Sequence, residues 1–444
     1  MGDEIKMKKC ALHSLGCKVN SYETQAMQKM MEDAGYKIVP FGDETADIYI
    51  INTCSVTNIA DRKSRQMIHK ARKMNPDAVV VATGCYVESA KENTDEDIDL
   101  VIGNNEKSRL IEFLDSYFEH LEKEPSEEIG RVSSFDEMNI DNPLEHTRAY
   151  VKIQDGCNRF CTYCIIPYVR GRIRSREYDD VLSEIKRIAD SGCKEVVLTG
   201  IHLSSYGMDK PDSGINLIDI IEKVNDIDGI ERIRLGSLEP KIVTEEFAKR
   251  LSACKKVCPH FHLSLQSGCN ETLKRMNRQY TVDEFYEGVL ILRKYFENAA
   301  ITTDIIVGFP GETEEEFETT RKYLEKVRFY ELHVFKYSRR KGTLADKMPG
   351  QHTDKEKTAR SNVLLKLDER LSRQYRETYI DKEVQVLLEE NHMIDGKKYI
   401  VGFTDTYVRV AVENEEDKYI TNEMIKVRVK KLFGKDMVIG VAEN

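Results

Sequence analysis

Apolar residues come in short runs, separated by longer stretches in which they recur every three or four positions. The first three runs are "ALHSLGC", "IYIINTC" and "VVVATGC". Helical periodicity covers about 21–34, 56–74 and 106–121. Strand–helix alternation of this kind predicts a parallel α/β sheet over residues 7–120. Further along, "AYVKIQ", "EVVLTG", "RIRLGS", "HFHLSLQ", "AITTDIIVGFP" and "LHVFKYS" repeat the alternation. Six units fall short of a closed eight-stranded barrel, so a partial (β/α)6 barrel is expected over 146–376. From residue 377 the period changes to two. "EVQVLLEE" and "TYVRVAVE", with turn residues between the runs, predict a small β-barrel over 377–443. Residues 121–145 are acidic and weakly periodic, and read as an interdomain linker. The expected class is therefore α/β: a parallel α/β domain, a partial barrel and a terminal β-barrel.

Composition changes this picture in three ways. A chain of 444 residues can bury two or three cores. Its 67 basic and 77 acidic residues leave a net charge of −10, which argues against a generic nucleic-acid coat but allows a local basic surface. There is no apolar run long enough to span a bilayer, and "MGDEIKMKKC" lacks the apolar stretch of a signal peptide. The expected location is cytoplasmic, with no membrane contact. There the 11 cysteines stay reduced, which favours metal binding over disulfides.

The cysteines carry the chemistry. Cys157, Cys161 and Cys164 are spaced C-x3-C-x2-C in "GCNRFCTYC". A disulfide would strand one of the three. A zinc site usually closes with four ligands, and the nearest candidates, His146 and Cys193, lack finger-like spacing. Short cysteine runs also hold iron–sulfur clusters, and three thiolates leave one iron open to chemistry. Cys17, Cys54 and Cys85 each end one of the first three runs. Parallel sheets bind ligands at the carboxyl ends of their strands, so these three are expected to gather as a second three-thiolate site. The competing reading is packing, since cysteine is among the most buried residue types. Cys10, Cys193, Cys254 and Cys258 read as structural, and Cys269 is open.

A C-x3-C-x2-C motif after the first strand of a six-unit barrel resembles the radical S-adenosylmethionine (SAM) superfamily. "SLGCKVNSYET", "INTCSVT", "TGCY", "CNRFCTYCIIPYVRGRIRSR", "LQSG", "GFPGET" and the terminal TRAM-like module narrow the resemblance to the methylthiotransferases, over nearly the whole chain. The resemblance implies two 4Fe-4S clusters. Cys157, Cys161 and Cys164 would hold the catalytic, radical-generating one, and Cys17, Cys54 and Cys85 an auxiliary one. It also implies two SAM molecules per turnover, one donating a methyl group and one forming a 5′-deoxyadenosyl radical. SAM itself would supply the ligand missing at the catalytic cluster. The implied SAM contacts are Tyr163, Gly200, Ile201, His202, Ser237, Glu239, Val307 and Gly308, although the superfamily's usual Gly-Gly-Glu is absent from "LTGIHLSSYG".

Arg170, Arg172, Arg174 and Arg176 alternate in "YVRGRIRSR", which in an extended segment places them on one face. They are expected to meet tRNA phosphates, with one of them reading a carboxylate; a solvated loop is the competing reading. Two further basic groups are Arg62, Lys63, Arg65, Lys70, Arg72 and Lys73, and Arg339, Arg340 and Lys341. Within the family, "CIIPYVRGRIRSR" most resembles enzymes that insert a methylthio group at C2 of N6-threonylcarbamoyladenosine-37 beside the anticodon. The alternatives are isopentenyladenosine in tRNA, an aspartate of a small-subunit ribosomal protein, and a non-catalytic iron–sulfur RNA-binding protein. The implied partners are tRNA, an electron donor such as flavodoxin or ferredoxin, and a sulfur donor.

Overall fold

A computed structural model describes residues 7–90, 95–121, 128–140 and 147–443. The amino-terminal domain comprises β1 (Lys9–Ser14), α1 (Lys18–Asp33), β2 (Lys37–Ile38), β3 (Ile48–Thr53), α2 (Asn58–Met74), β4 (Val79–Gly84), α3 (Cys85–Ser89), β5 (Leu100–Ile102) and α4 (Leu110–Phe118). Its sheet is fully parallel, in the order β2-β1-β3-β4-β5. β3 and β4 are buried along their whole length, which is why they read as continuous apolar runs rather than alternating ones.

The central domain begins with β6 (Arg148–Asp155), α5 (Ile166–Val169), β7 (Arg174–Ser175), α6 (Tyr178–Asp190), β8 (Glu195–Gly200), α7 (Leu217–Asn225), β9 (Arg232–Leu235) and α8 (Glu245–Ala253). It continues with β10 (His260–His262), α9 (Asn270–Arg275), α10 (Val282–Tyr295), β11 (Ala300–Val307), α11 (Glu314–Val327), β12 (Glu331–Lys336) and α12 (Asp354–Glu377). β6-β8-β9 and β10-β11-β12 are parallel sets, joined by the bridges Ile233↔Val257 and Leu238↔Leu263 into one six-stranded arc. β7 is a short antiparallel strand on the β6 edge. Alternate residues such as Val151, Ile153, Val196, Leu198, Ile305 and Leu332 pack outward into the helical core. The intervening positions therefore face the lumen.

The carboxyl-terminal domain is a closed barrel of β13 (Glu383–Ile394), β14 (Lys397–Phe403), β15 (Arg409–Glu413), β16 (Met424–Phe433) and β17 (Met437–Ala442). It caps the amino-terminal end of the arc. There Arg232 Nη1 donates to Phe403 O at 2.8 Å, Arg234 Nη1 to Asp405 O at 2.7 Å, and Arg148 Nη1 to the Tyr407 hydroxyl at 2.6 Å.

The acidic segment does not behave as a free tether where it is described. Met138 and Ile140 pack into the amino-terminal core, and Asp136 accepts from Lys107 N at 3.0 Å. Residues 122–127 and 141–146, His146 included, lie outside the described residues.

Candidate functional site

The amino-terminal cysteines occupy one edge of their sheet. Cys17 caps the start of α1, Cys54 follows β3, and Cys85 opens α3. The loops that carry them are interlocked. Gly16 has φ +103°, and a Cβ there would lie 2.7 Å from Cys54 Sγ. Gly84 has φ +98°, and its Cβ would lie 2.3 Å from Thr53 O. Only glycine fits at either position. Burial pushes the Cys54 thiol up to about 11, and the neighbouring Cys85 and Cys17 add to the rise. Cys85 is also raised by burial, opposed by the charge of Arg170.

Cys157, Cys161 and Cys164 lie in the loop between β6 and α5, at the carboxyl end of the barrel. Burial pushes Cys157 up to about 11 and Cys164 up to about 12, with Cys161 contributing to both. Two donors face these sulfurs: Arg159 N lies 3.4 Å from Cys157 Sγ, and Arg278 Nη1 lies 3.2 Å from Cys161 Sγ.

Sulfur spacing tests what the triads fit. Thiolates on a single zinc ion lie about 3.8 Å apart, given its bond length and tetrahedral angle. Among the described residues, the groups whose ligand atoms all fall within 4.8 Å of one another are His262–Asp304–His333 and His69–Asp95–Asp97. Neither contains a cysteine, so both triads are too open for one ion as they stand. An iron–sulfur cluster is larger than one ion and takes thiolates spaced more widely.

Around the second triad stand the residues expected to contact SAM. Gly200, Ile201 and His202 follow β8, where His202 N donates to Gln154 Oε1 at 2.7 Å. Glu239 is 5% exposed, and its carboxylate is taken up by Arg159 and His202. Burial would raise Glu239, but the His202 hydrogen bond and the nearby charges more than offset it. Ser237 is the open member of that pair, sharing a hydrogen bond with Ser264 at 2.6 Å. Val307 is buried, and Gly308 N already donates to Glu312 Oε2 at 2.7 Å. Tyr163 meets Phe309 edge-on, 6.4 Å between ring centres. Arg159 and Arg278 were not among the expected site residues. A lone arginine has no spacing signature, and their aim at sulfur comes from the fold.

The arginine row requires correction. Arg170, Arg174 and Arg176 are buried at 0%, 1% and 1% exposure. Arg170 Nη1 lies 2.8 Å from Glu23 Oε1 and 3.1 Å from Asp155 Oδ2. Arg174 Nη2 donates to Asn105 Oδ1 at 2.7 Å. Arg176 pairs with Glu184, and with Glu137 at 2.9 Å. These side chains serve the contact between domains and cannot meet phosphates. The expected extended face fails because Arg170 caps α5 and the chain then turns at Gly171, where φ is +74°. Arg172 alone is exposed, lying over the Phe160 ring at 4.6 Å. Arg340 is likewise buried, paired with Asp61 at 2.6 Å. Arg62, Lys63, Arg65, Lys70 and Lys73 on α2 do face solvent.

A six-stranded arc with a three-cysteine loop after its first strand defines a radical SAM protein. In agreement, residues 151–324 match the Radical SAM superfamily, and residues 9–103 match the uncharacterized protein family UPF0004. The chain is 38% identical to the threonylcarbamoyladenosine tRNA methylthiotransferase MtaB of Bacillus subtilis, over 96% of this chain and 94% of that one. It is 34% identical to the tRNA-2-methylthio-N(6)-dimethylallyladenosine synthase of Acetivibrio thermocellus, over 96% and 89%. Among solved structures, the radical S-adenosylmethionine methyltransferase TsrM of Kitasatospora setae shares the fold, with TM-score 0.55, 15% identity and coverage of 74% and 73%. The chain belongs to the radical SAM tRNA methylthiotransferases, enzymes that transfer sulfur-containing groups and use SAM and 4Fe-4S clusters.

Proposed function

We propose that this enzyme converts N6-threonylcarbamoyladenosine at tRNA position 37 to its 2-methylthio derivative. The observation that carries the reading is the pair of three-thiolate sites, one at each carboxyl edge, in two domains packed against each other. Cys157, Cys161 and Cys164 would hold the catalytic cluster, and Cys17, Cys54 and Cys85 the auxiliary one. When bound, these groups supply reductive SAM cleavage and a place to hold sulfur. The chain's own residues orient and shield. Arg278 and the Arg159 amide donate to the catalytic thiolates, and Arg170 and Asn104 lie against Cys85. Gln154 fixes the His202 loop, and Ser237 stands open toward the ligand space. An electron donor and a sulfur donor are required by this chemistry. No helix among the described residues is long and apolar enough to cross a membrane.

The substrate follows from the name of the Bacillus subtilis relative. Mass spectrometry of tRNA nucleosides from a deletion strain tests it. The 2-methylthio-threonylcarbamoyl nucleoside should vanish and its unthiolated precursor accumulate. Loss of a methylthio-prenyl nucleoside instead would overturn the reading.

A further inference from the structure

Three side chains around the loop of the catalytic cysteines have no part in the cluster and SAM chemistry. Phe160 directly precedes Cys161, Tyr168 stands on α5, and Arg172 follows the turn at Gly171. The Arg172 guanidinium lies over the Phe160 ring at 4.6 Å, and the Tyr168 ring meets Phe160 nearly edge-on, at 5.7 Å and 84°. Tyr168 is 48% exposed, Arg172 is exposed, and Phe160, which both of them touch, is half-buried. Two rings and one planar cation thus form a continuous surface. Among the described residues, the Arg172 guanidinium has no carboxylate partner.

This surface is fixed, and it is strained. Phe160 has φ +47°, a left-handed conformation that is an outlier for a bulky residue. Its carbonyl accepts from Asn277 Nδ2 at 3.1 Å, and Thr162 N donates to Met276 O at 3.1 Å, so the segment is held from the α9 side. Strain of this kind persists only where the surroundings over-determine it, and it clusters at ligand-binding positions. The Arg172 loop does not need the ring to hold its place. Cys157 N donates to Gly171 O at 3.1 Å, and Ile173 N to Asn158 Oδ1 at 3.3 Å. A Cβ on Gly156 would lie 1.7 Å from Arg172 O, so the two backbones are in contact. Hydrogen bonds and backbone contact already anchor the loop, and the strained ring with its guanidinium is left at the surface.

The surface lies at the seam between the two triads. Phe160 adjoins Cys161, while Ile165 and Val169, at the two ends of α5, pack with Cys85. A substrate carbon served by both sites has to enter at this seam. Chemistry on a base takes it out of its stack, at a cost in unstacking energy. The nucleotide beside it then loses a neighbour and gains from a new one. Unpaired bases stack on aromatic rings and on arginine planes, whatever the base.

We propose that Tyr168 and Arg172, resting on Phe160, form a stacking platform for an unpaired base next to the target adenosine in the anticodon loop. This rests on tRNA being the substrate, and it holds for either modified adenosine. The exposed cation adds attraction to the RNA backbone, and the flat stack offsets the cost of extruding the target.

The test measures binding, by cluster-loaded enzyme, of an anticodon stem-loop RNA in three forms: intact, or abasic at the nucleotide before or after the target adenosine. The wild type should bind one of the abasic forms about fivefold or more weakly than the intact loop. Y168A should weaken binding of the intact loop by a similar factor, and so should R172K, which keeps the charge but loses the plane. Neither should weaken binding of that abasic form further, and Y168F should bind as the wild type does. Both positions are exposed, and iron content reports whether the neighbouring cluster loop is intact. Intact-loop affinity unchanged in Y168A and R172K overturns the inference. An equal loss for the intact and abasic loops does so too, because the residues would then act without a base. A wild type that binds all three forms alike stacks no neighbouring base and also overturns it. A wild type with no affinity for any of the three overturns the tRNA substrate itself.

Discussion

Arg170 Nε donates to Cys85 Sγ at 3.3 Å, joining the segment after the catalytic cysteines to a ligand of the other triad. The same guanidinium lies against Glu23, Asp155 and Asn20, all buried. Glu23 would be raised by burial, but Arg170, Lys107 and Lys152 more than offset it and hold it well below the usual carboxylate range. Removing Arg170 takes a buried cation from Glu23 and Asp155 and leaves the oxygens it bonded, on Glu23, Asp155 and Asn20, short of donors. R170A should therefore destabilise the protein by about 3–5 kcal/mol. R172A, at the exposed position in the same row, should stay within about 0.5 kcal/mol. Urea midpoints of the two variants check this, and equal midpoints would show that the buried row is dispensable.

The turn before Cys85 gives a second test. Gly84 has φ +98°, and the methyl carbon of an alanine there would lie 2.3 Å from Thr53 O, so G84A strains the backbone and displaces a neighbouring strand. A left-handed non-glycine residue alone costs of order 1–3 kcal/mol. The expected result is about four irons per chain after reconstitution rather than about eight, with reductive SAM cleavage retained. Full iron content in G84A would detach this turn from cluster binding.

Electrostatic attraction to tRNA should reside on α2 rather than in the arginine row. Arg62, Lys63 and Arg65 are exposed, whereas Arg170, Arg174 and Arg176 are not. Removing one phosphate-binding cation should flatten the log–log salt dependence of binding by up to about 0.9. R62A, K63A and R65A should therefore lower the slope, and R172A should change it by no more than a single cation's share. A slope unchanged in all three α2 variants would place the RNA elsewhere.

The His333–Asp304 pair predicts a pH window. Hydrogen bonds to Asp304 and then Glu331 raise His333 from 6.5 to about 9. Asp304 would be raised by burial, but its bonds to His262 and His333 hold it far below its ordinary 3.8. A raised folded-state value stabilises fully below the unfolded value and is lost as pH climbs through the folded one. Stabilisation by His333 should thus be complete below about 6.5 and gone above about 9, and that by Asp304 should persist down to about 4. The groups facing His333 are Asp304, Glu331, His262 and, more distantly, Asp368. H333Q should lower the melting temperature at pH 6 and match the wild type near pH 10. A difference independent of pH would mean that the ring only packs.

The chain sequence alone determined what is local. Cysteine spacing within one loop, the end of an apolar run, and a change of period from 3.6 to 2 are properties of consecutive residues, and from them came the order of parallel sheet, partial barrel and β-barrel that the fold shows. The tertiary structure decided what depends on distant partners. Arg170 and Arg176 looked like a phosphate-facing row because alternation along an extended segment would put them on one face. Glu23, the partner of Arg170, comes from α1 once the domains close, whereas Glu184, the partner of Arg176, comes from α6 of the same domain as that helix folds back; burial of a charge is tolerated only with such partners. His262, Asp304 and His333 carried no signal either. They stand on three different strands with no shared local motif, and only the parallel register of β10, β11 and β12 brings them together. Side-chain period along a strand is a sequence property, but which strand lies next to which, and what covers their ends, is settled by packing.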